Sequence, residues 1–410
     1  MHILIVGKAF SGMKNYLSGH GHTYTVLQDE KATKFPDRRL RNRVVCNFLS
    51  PQKIITTAEK INSKRRVDGV IATYEHYITS ASLLARHFNL PGLTEKAAQA
   101  CTDKELMRQM FAKSPKKISP DFSVVSSWEE LLEFADAHSF PLILKPANLA
   151  KSLLVTKSTT QDELIRNYQY TLNLLDTTYQ KYAPNSTPKL IVEEFLEGPI
   201  FSVDAFVDNT GEPYVLENVV DYQTGYDIGF NDNFHYSRLL PSRLSKSDVA
   251  AIRQTAAIGC RALGMTSSPA HIEIILTRDG PRIVEIGARN GGYRERMHRL
   301  ANDIDITGNA LALSLNAPLD ITPKKNDYVG VFELFPQLPG SFVGIAEEGR
   351  LQKLPSFNYL GIKAKAGQYV GRAASGYKMC AVVILANKDK ASFDRDVAIF
   401  NNHVHVLTRT

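Results

Sequence analysis

The segment HIEIILTRDGPRIVEIGARNGG, residues 271–292, decides the fold, because it holds two apolar runs on either side of a tight turn. The dipeptide Asp279-Gly280 is typical of a hairpin turn, so the segment predicts two antiparallel strands, at residues 271–276 and 282–286. Glu273 and Glu285 lie in opposite arms of this hairpin. Cross-strand pairing would therefore bring both carboxylates to one face.

Two carboxylates in such a setting allow two explanations. Like charges buried side by side are costly unless a divalent cation neutralises them, and Mg²⁺ accepts one or two carboxylates together with water and phosphate oxygens. Glu273 and Glu285 are therefore candidate metal ligands. The alternative is a solvent-facing pair of glutamates on an edge hairpin. Arg289, Asn290 and Gly291 follow directly and supply a planar cation and a backbone that a ligand can approach closely.

The first 95 residues alternate between short apolar strands and amphipathic helices. This alternation predicts an α/β unit with a parallel, doubly wound sheet. The expected strands are residues 2–7, 23–27 and 67–73, and the expected helices are residues 53–62 and 80–88. The first turn reads GKAFSG and lacks both the dinucleotide-binding fingerprint and the lysine of a P-loop.

The remaining sequence predicts three further units. Strands are expected at residues 122–125, 140–145, 190–196 and 202–207, and helices at 104–111, 128–138 and 246–263. From residue 326 onward, frequent turns between short strands predict a small β-rich lobe. We therefore divide the 410 residues into units 1–95, 96–190, 191–325 and 326–410.

The composition excludes several classes of protein. Hydrophobic residues make up 43% and charged residues 22% of the chain, which is typical of globular proteins. No apolar run approaches the length of a membrane-spanning helix, and the opening MHILIVGKAF predicts a first strand rather than a signal peptide. The four cysteines contain no CxxC pair, so we expect neither a disulfide framework nor a zinc site, and a cytoplasmic location.

Positive charge is concentrated in residues 1–120, which hold 20 Lys and Arg against 9 Asp and Glu. Such a surface can attract nucleic acid or an anionic metabolite. The densest basic runs, residues 38–43 and 64–66, lack interleaved aromatic residues and any nucleic-acid-binding motif. A solvated face is therefore the preferred explanation, and we expect neither nucleic acid nor membrane as a partner.

Charged residues outside the hairpin occur in a characteristic order. Lys104 lies beside a helix start, Lys145 ends an apolar strand, and VEEFLEG occupies residues 192–198. A lone lysine at a strand end more often reaches the surface than a ligand. Followed by Glu273 and Glu285, however, this order resembles the ATP-grasp superfamily of carboxylate–amine ligases over nearly the whole chain. L-amino-acid ligases that make dipeptides look most similar, through HIE at 271–273 and EIGAR at 285–289.

The resemblance implies an ATP-grasp fold, in which the doubly wound unit precedes two ATP-binding subdomains and a small β-rich C-terminal lobe follows. Lys104 and Lys145 would contact the phosphates of ATP. The adenine-binding hinge would be formed by Glu193, Glu194, Phe195 and Leu196, where the first glutamate or neighbouring backbone groups would bind the exocyclic amine and Leu196 would contribute a backbone contact.

The resemblance also implies Mg²⁺ or Mn²⁺ as a cofactor bound by Glu273 and Glu285. Arg289, four residues after the second acid, matches an arginine that stabilises the transferring phosphoryl group and the acyl-phosphate intermediate.

Three positions depart from the family pattern. The loop after Lys145 contains no glycine, and Lys151 and Ser152 are candidates to contact phosphate in place of backbone amides. Many relatives have a ribose-binding acid where this chain has Ile200, and Asp204 is a candidate substitute. Gly287 replaces an asparagine that adds a metal ligand in many relatives, so Asn290 or water would complete the metal shell.

The substrate site would include Arg289, Asn290 and Gly291, with two weaker candidates. His271 is more often structural than catalytic, and Glu75, after the strand 67–73, is equally well explained as an acid at a helix start. We expect a ligase that joins a small-molecule carboxylate to an amine, and a homodimer as the default assembly. The alternatives are an ATP-grasp carboxylase or purine-pathway ligase, and a nucleotide-binding module without turnover.

Overall fold

The structure is a computed structural model that describes residues 1–30, 42–149, 153–183 and 186–409. Within these ranges the chain forms twelve α-helices and twenty β-strands in four sheets. The α/β class predicted from the sequence is therefore confirmed. A search of the described helices finds no candidate membrane span.

The N-terminal unit is built on a four-stranded parallel sheet. Its elements are β1 (His2–Val6), α1 (Ser11–Gly19), β2 (Thr23–Asp29), β3 (Arg43–Cys46), α2 (Pro51–Lys64), β4 (Gly69–Ala72) and α3 (Ile78–His87). The strand order is β3-β2-β1-β4, and all three pairings are parallel. Ile3 and Ile5 pack with α1 and with the later helix Ile306–Ser314, whereas Leu4 and Val6 pack with α2 and α3. Helices on both faces confirm the predicted doubly wound sheet.

The second unit contains an antiparallel sheet covered by two helices. Its elements are α4 (Glu95–Ala100), α5 (Lys104–Phe111), β5 (Phe122–Val125), α6 (Trp128–Ala137), β6 (Leu142–Pro146), β7 (Thr156–Ser158), α7 (Gln161–Tyr182) and β8 (Leu190–Glu194). The strand order is β5-β8-β6-β7. Apolar residues of α6 and α7 pack on β6 and β8 in one core. Ser127 and Glu130 form a capping box that fixes the start of α6.

The third sheet has nine strands. Two of them form the hairpin of residues 268–287, which contains the predicted metal ligands and is called the metal hairpin below. The first elements of this unit are β9 (Ile200–Val207), β10 (Pro213–Val215), β11 (Val220–Thr224), β12 (His235–Leu240), α8 (Lys246–Ala262), β13 (Ser268–Thr277) and β14 (Gly280–Gly287). Two helices follow, α9 (Arg294–Asn302) and α10 (Ile306–Ser314). Helix α10 packs on the N-terminal sheet and also contacts β13, so it joins the first unit to the hairpin.

The C-terminal strands continue this sheet. The remaining elements are β15 (Tyr328–Leu334), β16 (Gly340–Ile345), α11 (Glu348–Leu351), β17 (Phe357–Ile362), β18 (Tyr369–Val370), β19 (Ala381–Asn387), α12 (Lys390–His403) and β20 (Val406–Arg409). The order β14-β13-β9-β11-β12-β15-β19-β17 runs without a break across residue 326, while β18-β16-β20 form a small separate sheet. The β-rich character of the C-terminal region is confirmed, but three of its strands extend the preceding unit.

Candidate active site

The hairpin β13–β14 places the two predicted metal acids opposite each other. In the register of the two strands Glu273 pairs with Glu285, and Thr277 pairs with Gly280 at the turn. Gly280 has φ +102°, a conformation that favours glycine, which explains the Asp-Gly turn. The predicted cross-strand pairing of the two carboxylates is therefore confirmed. The register shifts directly after Glu273, as expected for a bulge beside a functional site.

Cations lie beside both acids. Nζ of Lys104, the first residue of α5, is 3.3 Å from Oε2 of Glu285, and Nε2 of His271 is 3.6 Å from Oε1 of Glu273. Burial would raise the pKa of Glu273, but the hydrogen bond and charge of His271 outweigh it and lower the pKa to about 2. Glu273 is therefore ionised at neutral pH, as a metal ligand must be.

The donor set of this pair suits a hard divalent cation. The described residues contain no cluster of three or more His, Cys, Asp or Glu side chains arranged for a metal. Two facing carboxylates are nevertheless what Mg²⁺ uses when phosphate and water complete its shell. Glu273 and Glu285 thus fit Mg²⁺ bound together with nucleotide phosphates better than a metal held by protein alone.

The second predicted phosphate lysine belongs to a buried ionic cluster. Nζ of Lys145 on β6 is 2.5 Å from Oε2 of Glu193 on β8, and Nε of Arg108 on α5 donates to Oε1 of Glu193 at 2.9 Å. Burial lowers the pKa of Lys145 to about 8, even though Glu193 acts in the opposite direction. Because both oxygens of Glu193 are engaged, the backbone of the hinge is the better candidate for the adenine contact.

Arg108 also ties the hinge to the metal hairpin. Its Nη2 donates to the carbonyl of Val284 at 2.7 Å, one residue before Glu285. The side chain is fully buried, so it connects α5, β8 and β14 inside the protein. Arg108 was not among the site residues predicted from the sequence. Its position four residues after Lys104, which places both side chains on one face of α5, could have indicated it.

The other hinge residues lie at the border of this cluster. Glu194 accepts hydrogen bonds from Nζ of Lys117 at 2.8 Å and from the amide of Asp121 at 3.0 Å. Nζ of Lys157 lies 3.8 Å from the centroid of the Phe195 ring. Leu196 is half-buried. The predicted phosphate contacts Lys151 and Ser152 lie outside the described residues.

Asp204, the candidate ribose ligand, lies in a buried ionic network. Its carboxylate is 97% buried and is 2.8 Å from Nδ1 of His271, 3.2 Å from Nε of Arg294 and 3.3 Å from Nε2 of His298. Although burial acts in the opposite direction, these contacts hold the pKa of Asp204 well below its usual range. The oxygens of Asp204 already contact three partners, and its contact with a ribose stays a prediction.

The contact with Asp204 fixes the position of His271 on β13, two residues before Glu273. Burial would lower the pKa of His271, but Asp204 outweighs it and raises the pKa to about 9. His271 therefore contacts Asp204 through one ring nitrogen and faces Glu273 through the other. The sequence missed Arg294 and His298, which complete this network from α9.

Two predicted substrate residues meet directly. Nη2 of Arg289 is 3.1 Å from Oε2 of Glu75, which opens the short 3₁₀ turn Glu75–Tyr77 at the carboxyl end of β4. Burial, followed by the charge of Glu285, raises the pKa of Glu75, while Arg289 opposes the shift. The nearby acid Asp305 pairs instead with Arg299 at 3.0 Å.

Asn290 and Gly291 complete this corner. Nδ2 of Asn290 lies 3.5 Å from the carbonyl of Ile306. A Cβ on Gly291 would come within 2.4 Å of Nδ1 of His271, so the glycine lets the loop pack against the histidine. The group that approaches the backbone of Gly291 closely is therefore the side chain of His271.

The predicted metal and substrate residues line one cavity of about 1040 Å³. It lies between the N-terminal sheet, the metal hairpin and the C-terminal strands. Its lining includes Glu75, Glu273, Glu285, Arg289 and His271, together with Arg238 and Glu333 from the far strands. Such a volume is large enough for two small substrates next to a nucleotide phosphate.

Comparisons with known proteins agree on the fold. A family model described as "ATP-grasp domain" matches residues 138–295, which include the hinge and the metal hairpin. The chain has the ATP-grasp fold. The fold agrees with this identification, since the crystal structure of an L-amino acid ligase from Bacillus licheniformis superposes with a TM-score of 0.83 over 100% of this chain and 99% of that chain, at 18% identity.

Two curated relatives of this chain are described as ligases. The alanine–anticapsin ligase of Bacillus subtilis (strain 168) is 25% identical over 255 residues, 59% of this chain and 52% of that protein. A phosphoribosylamine–glycine ligase of Streptococcus pneumoniae serotype 4 is 26% identical over 216 residues, 50% of this chain and 50% of that protein. The chain thus spans about half the length of these curated relatives.

Proposed function

We propose that this protein is an ADP-forming ligase that activates the carboxylate of an amino acid as an acyl phosphate and joins it to an amine. The product is an amide or a dipeptide. The observation that carries the proposal is the convergence of facing acids, Glu273 and Glu285, with the Arg289–Glu75 pair on one cavity. The likeness to an L-amino acid ligase and to an alanine–anticapsin ligase supports the choice of amino acids as substrates.

The reaction has two displacements. A carboxylate oxygen attacks the γ-phosphorus of ATP, the bond from that phosphorus to the bridging oxygen breaks, and ADP leaves. The amine nitrogen then attacks the acyl carbon, the carbon–oxygen bond to phosphate breaks, and inorganic phosphate and one proton are released. Both steps are anionic, so the task of the protein is alignment and neutralisation of charge.

Each site residue has a task in this scheme. Lys104 and Lys145 supply positive charge on the nucleotide side, and Lys104 is held beside Glu285 at 3.3 Å. Arg289 presents a planar fork that can bind two oxygens of a carboxylate or phosphoryl group. When bound by Glu273 and Glu285, Mg²⁺ supplies further neutralisation of the phosphate oxygens. The Asp204–His271 contact keeps Glu273 in place.

The test is an assay of phosphate release with ATP, Mg²⁺ and a panel of amino-acid pairs, with the product identified by mass spectrometry. We expect release that depends on an amino acid and a product whose mass equals the two substrates minus water. Glu285→Gln should abolish release, whereas the matched control Glu133→Gln changes an exposed acid on α6 and should not. ATP binding without release across the whole panel would instead indicate a nucleotide-binding module.

A purine-pathway ligase is the second candidate. It is favoured by the likeness to a phosphoribosylamine–glycine ligase and by four arginines that line the cavity, Arg238, Arg289, Arg296 and Arg299, which could bind a sugar phosphate. The same assay separates the two functions. Release that requires freshly formed phosphoribosylamine and glycine, and that no amino-acid pair supports, would select the second candidate.

A further inference from the structure

One wall of the cavity contains charged residues that the proposed reaction does not yet use. Arg238 on β12, Glu333 on β15 and Tyr293 before α9 line the same cavity as Glu273 and Arg289. The side chains of Arg238 and Glu333 are each 11% exposed. Charged groups with so little contact with bulk water are costly unless their polar atoms are paired, so the partners of each group decide what it can still bind.

The guanidinium of Arg238 is held in a defined orientation. Its Nη1 donates to the carbonyl of His235 at 3.3 Å and lies 3.6 Å from Oε1 of Glu333. The rings of Tyr222 and Tyr293 lie 5.6 and 5.3 Å from its central carbon. The same oxygen of Glu333 accepts the hydroxyl of Tyr293 at 2.9 Å, so Glu333 is fixed as well.

One edge of this guanidinium remains available. Among the described residues, neither Nε nor Nη2 of Arg238 has a hydrogen-bond partner, and neither atom is sealed from the cavity. His235 beside it is uncharged at neutral pH, because burial and the charge of Arg238 lower its pKa to about 4. The available edge is therefore that of a cation with two parallel donors.

The other three arginines of the cavity are engaged. Arg289 pairs with Glu75 at 3.1 Å, and Arg299 pairs with Asp305 at 3.0 Å. Arg296 donates to Oδ1 of Asn358 at 2.8 Å and lies over the ring of Tyr359. Arg238 is thus distinguished from them, since its closest carboxylate lies beyond hydrogen-bond distance.

From this geometry we infer that Arg238 determines the choice of amine substrate, because it binds the carboxylate of an α-amino acid and gives no contact to amines that lack one. The inference rests on the proposed function and narrows its substrate class. A planar guanidinium edge matches the two oxygens of a carboxylate, whereas a simple alkylamine offers nothing for it to bind. The location also suits the chemistry, because a second carboxylate would be repelled by Glu273 and Glu285 at the metal hairpin.

The pairing of acid and arginine then occurs twice in one cavity. Glu75 and Arg289 lie where the first carboxylate would be activated. Glu333 and Arg238 lie on the wall assigned to the amine substrate. In the second pair Glu333 is a positioning residue, since it holds Arg238 by one side and leaves the other edge open. Loss of Glu333 should therefore weaken the same substrate less than loss of Arg238.

The experiment compares three amines in the wild type and in Arg238→Met. The first is an amino acid, the second is the amide of that amino acid, and the third is hydroxylamine, which traps the activated carboxylate as a hydroxamate. We expect Arg238→Met to raise the Michaelis constant of the amino acid used as the amine by tenfold to a hundredfold. This range corresponds to the loss of one charge-assisted hydrogen bond, about 1.5–3 kcal/mol. The values for the amide, hydroxylamine and ATP should stay within about threefold.

The outcomes are distinguishable. Hydroxamate formation that is normal in both proteins, together with equal use of the amino acid, would overturn the assignment of Arg238 and leave the ligase proposal intact. An equal loss for all three amines would show a structural role and also overturn it. No hydroxamate and no dipeptide in the wild type, with any amino acid, would overturn the ligase proposal and this inference with it. The matched control is Arg278→Met, which removes an exposed arginine that does not line the cavity, and a selective loss of the amino acid there would contradict the assignment of Arg238.

Discussion

Glu75 and Arg289 lie 214 residues apart in the chain and form an ion pair of 3.1 Å between the N-terminal sheet and the loop after the metal hairpin. The pair joins the end of a parallel strand, where open α/β sheets collect ligand-binding residues, to the proposed site of phosphoryl transfer. Arg289 is held through both terminal nitrogens, since Nη1 also donates to the carbonyl of Asn290 at 3.3 Å, and its side chain remains 26% exposed. This arrangement makes the arginine the most informative residue for testing the mechanism.

Arg289→Lys should retain ATP binding and lose rate in the chemical step. Lysine keeps the charge but not the planar fork, so the expected loss is about 2–4 kcal/mol of transition-state stabilisation. Steady-state phosphate release at saturating ATP measures it. Arg299→Lys is the matched control, because that arginine lines the same cavity but pairs with Asp305. An Arg289→Lys enzyme within a few-fold of the wild type would remove the arginine from the mechanism.

Glu273→Gln and Glu285→Gln should each abolish turnover while the fold survives. Glutamine preserves the volume and removes one negative ligand, so the affinity for the divalent cation falls. Electron paramagnetic resonance of Mn²⁺ in the presence of ADP measures cation binding independently of activity. If both variants keep wild-type turnover at limiting Mg²⁺ and bind Mn²⁺ normally, the carboxylate pair is structural.

Lys145→Met should weaken the binding of ATP far more than that of adenosine. The lysine is expected to contact phosphate, and adenosine carries none. Calorimetric titration of both ligands gives the two affinities. Lys113→Met removes an exposed lysine at the end of α5 and serves as the control. Equal losses for ATP and adenosine would indicate that Lys145 only supports packing around Glu193.

The affinity for ATP should fall as the pH rises from 7 to 9.5. Burial lowers the pKa of Lys145 to about 8, so above this pH the side chain increasingly loses the proton that attracts phosphate. The loss can reach tenfold per pH unit above that pKa. In Lys145→Arg the charge persists, and the dependence should flatten. A wild-type affinity that improves with rising pH would contradict this assignment.

Arg108→Met should lower the free energy of unfolding by about 3–5 kcal/mol, because one cation is removed from a buried ionic cluster. Arg108 binds Glu193 at 2.9 Å and the carbonyl of Val284 at 2.7 Å, so its loss also loosens the metal hairpin. Urea denaturation gives the value. Arg86→Met, which breaks an exposed pair with Glu95, should cost at most about 1 kcal/mol. A similarly small cost at Arg108 would contradict the prediction.

Local chemistry explains what the sequence predicts well. The hairpin follows from alternation and an Asp-Gly turn, and α6 begins at the capping box of Ser127 and Glu130. Helix α5 begins after Asp103, whose carboxylate accepts from the amides of Glu105 and Leu106. Each of these signals depends on a few neighbouring residues, so it can be recognised in the sequence before the fold is known.

Contacts between residues that lie far apart in the chain are harder to predict from the sequence. Arg108 and Glu193 are 85 residues apart, and the network around Asp204 brings together β9, β13 and α9. A buried acid with three hydrogen-bonding or ionic partners cannot be distinguished from a ligand-binding acid by spacing alone. Strand β3 was missed because it is an edge strand with an exposed Val45 beside a basic run, which leaves no apolar pattern.

The unbroken nine-stranded sheet has a consequence for how this chain can be cut and recombined. Residues 237–240 of β12 pair directly with residues 329–332 of β15, across the point where a compositional boundary suggests a module. Deleting the region after residue 326 would leave β12 as an open, apolar sheet edge, a template for intermolecular strand addition and aggregation. Chimaeras with relatives should therefore inherit β12 and β15 from the same parent.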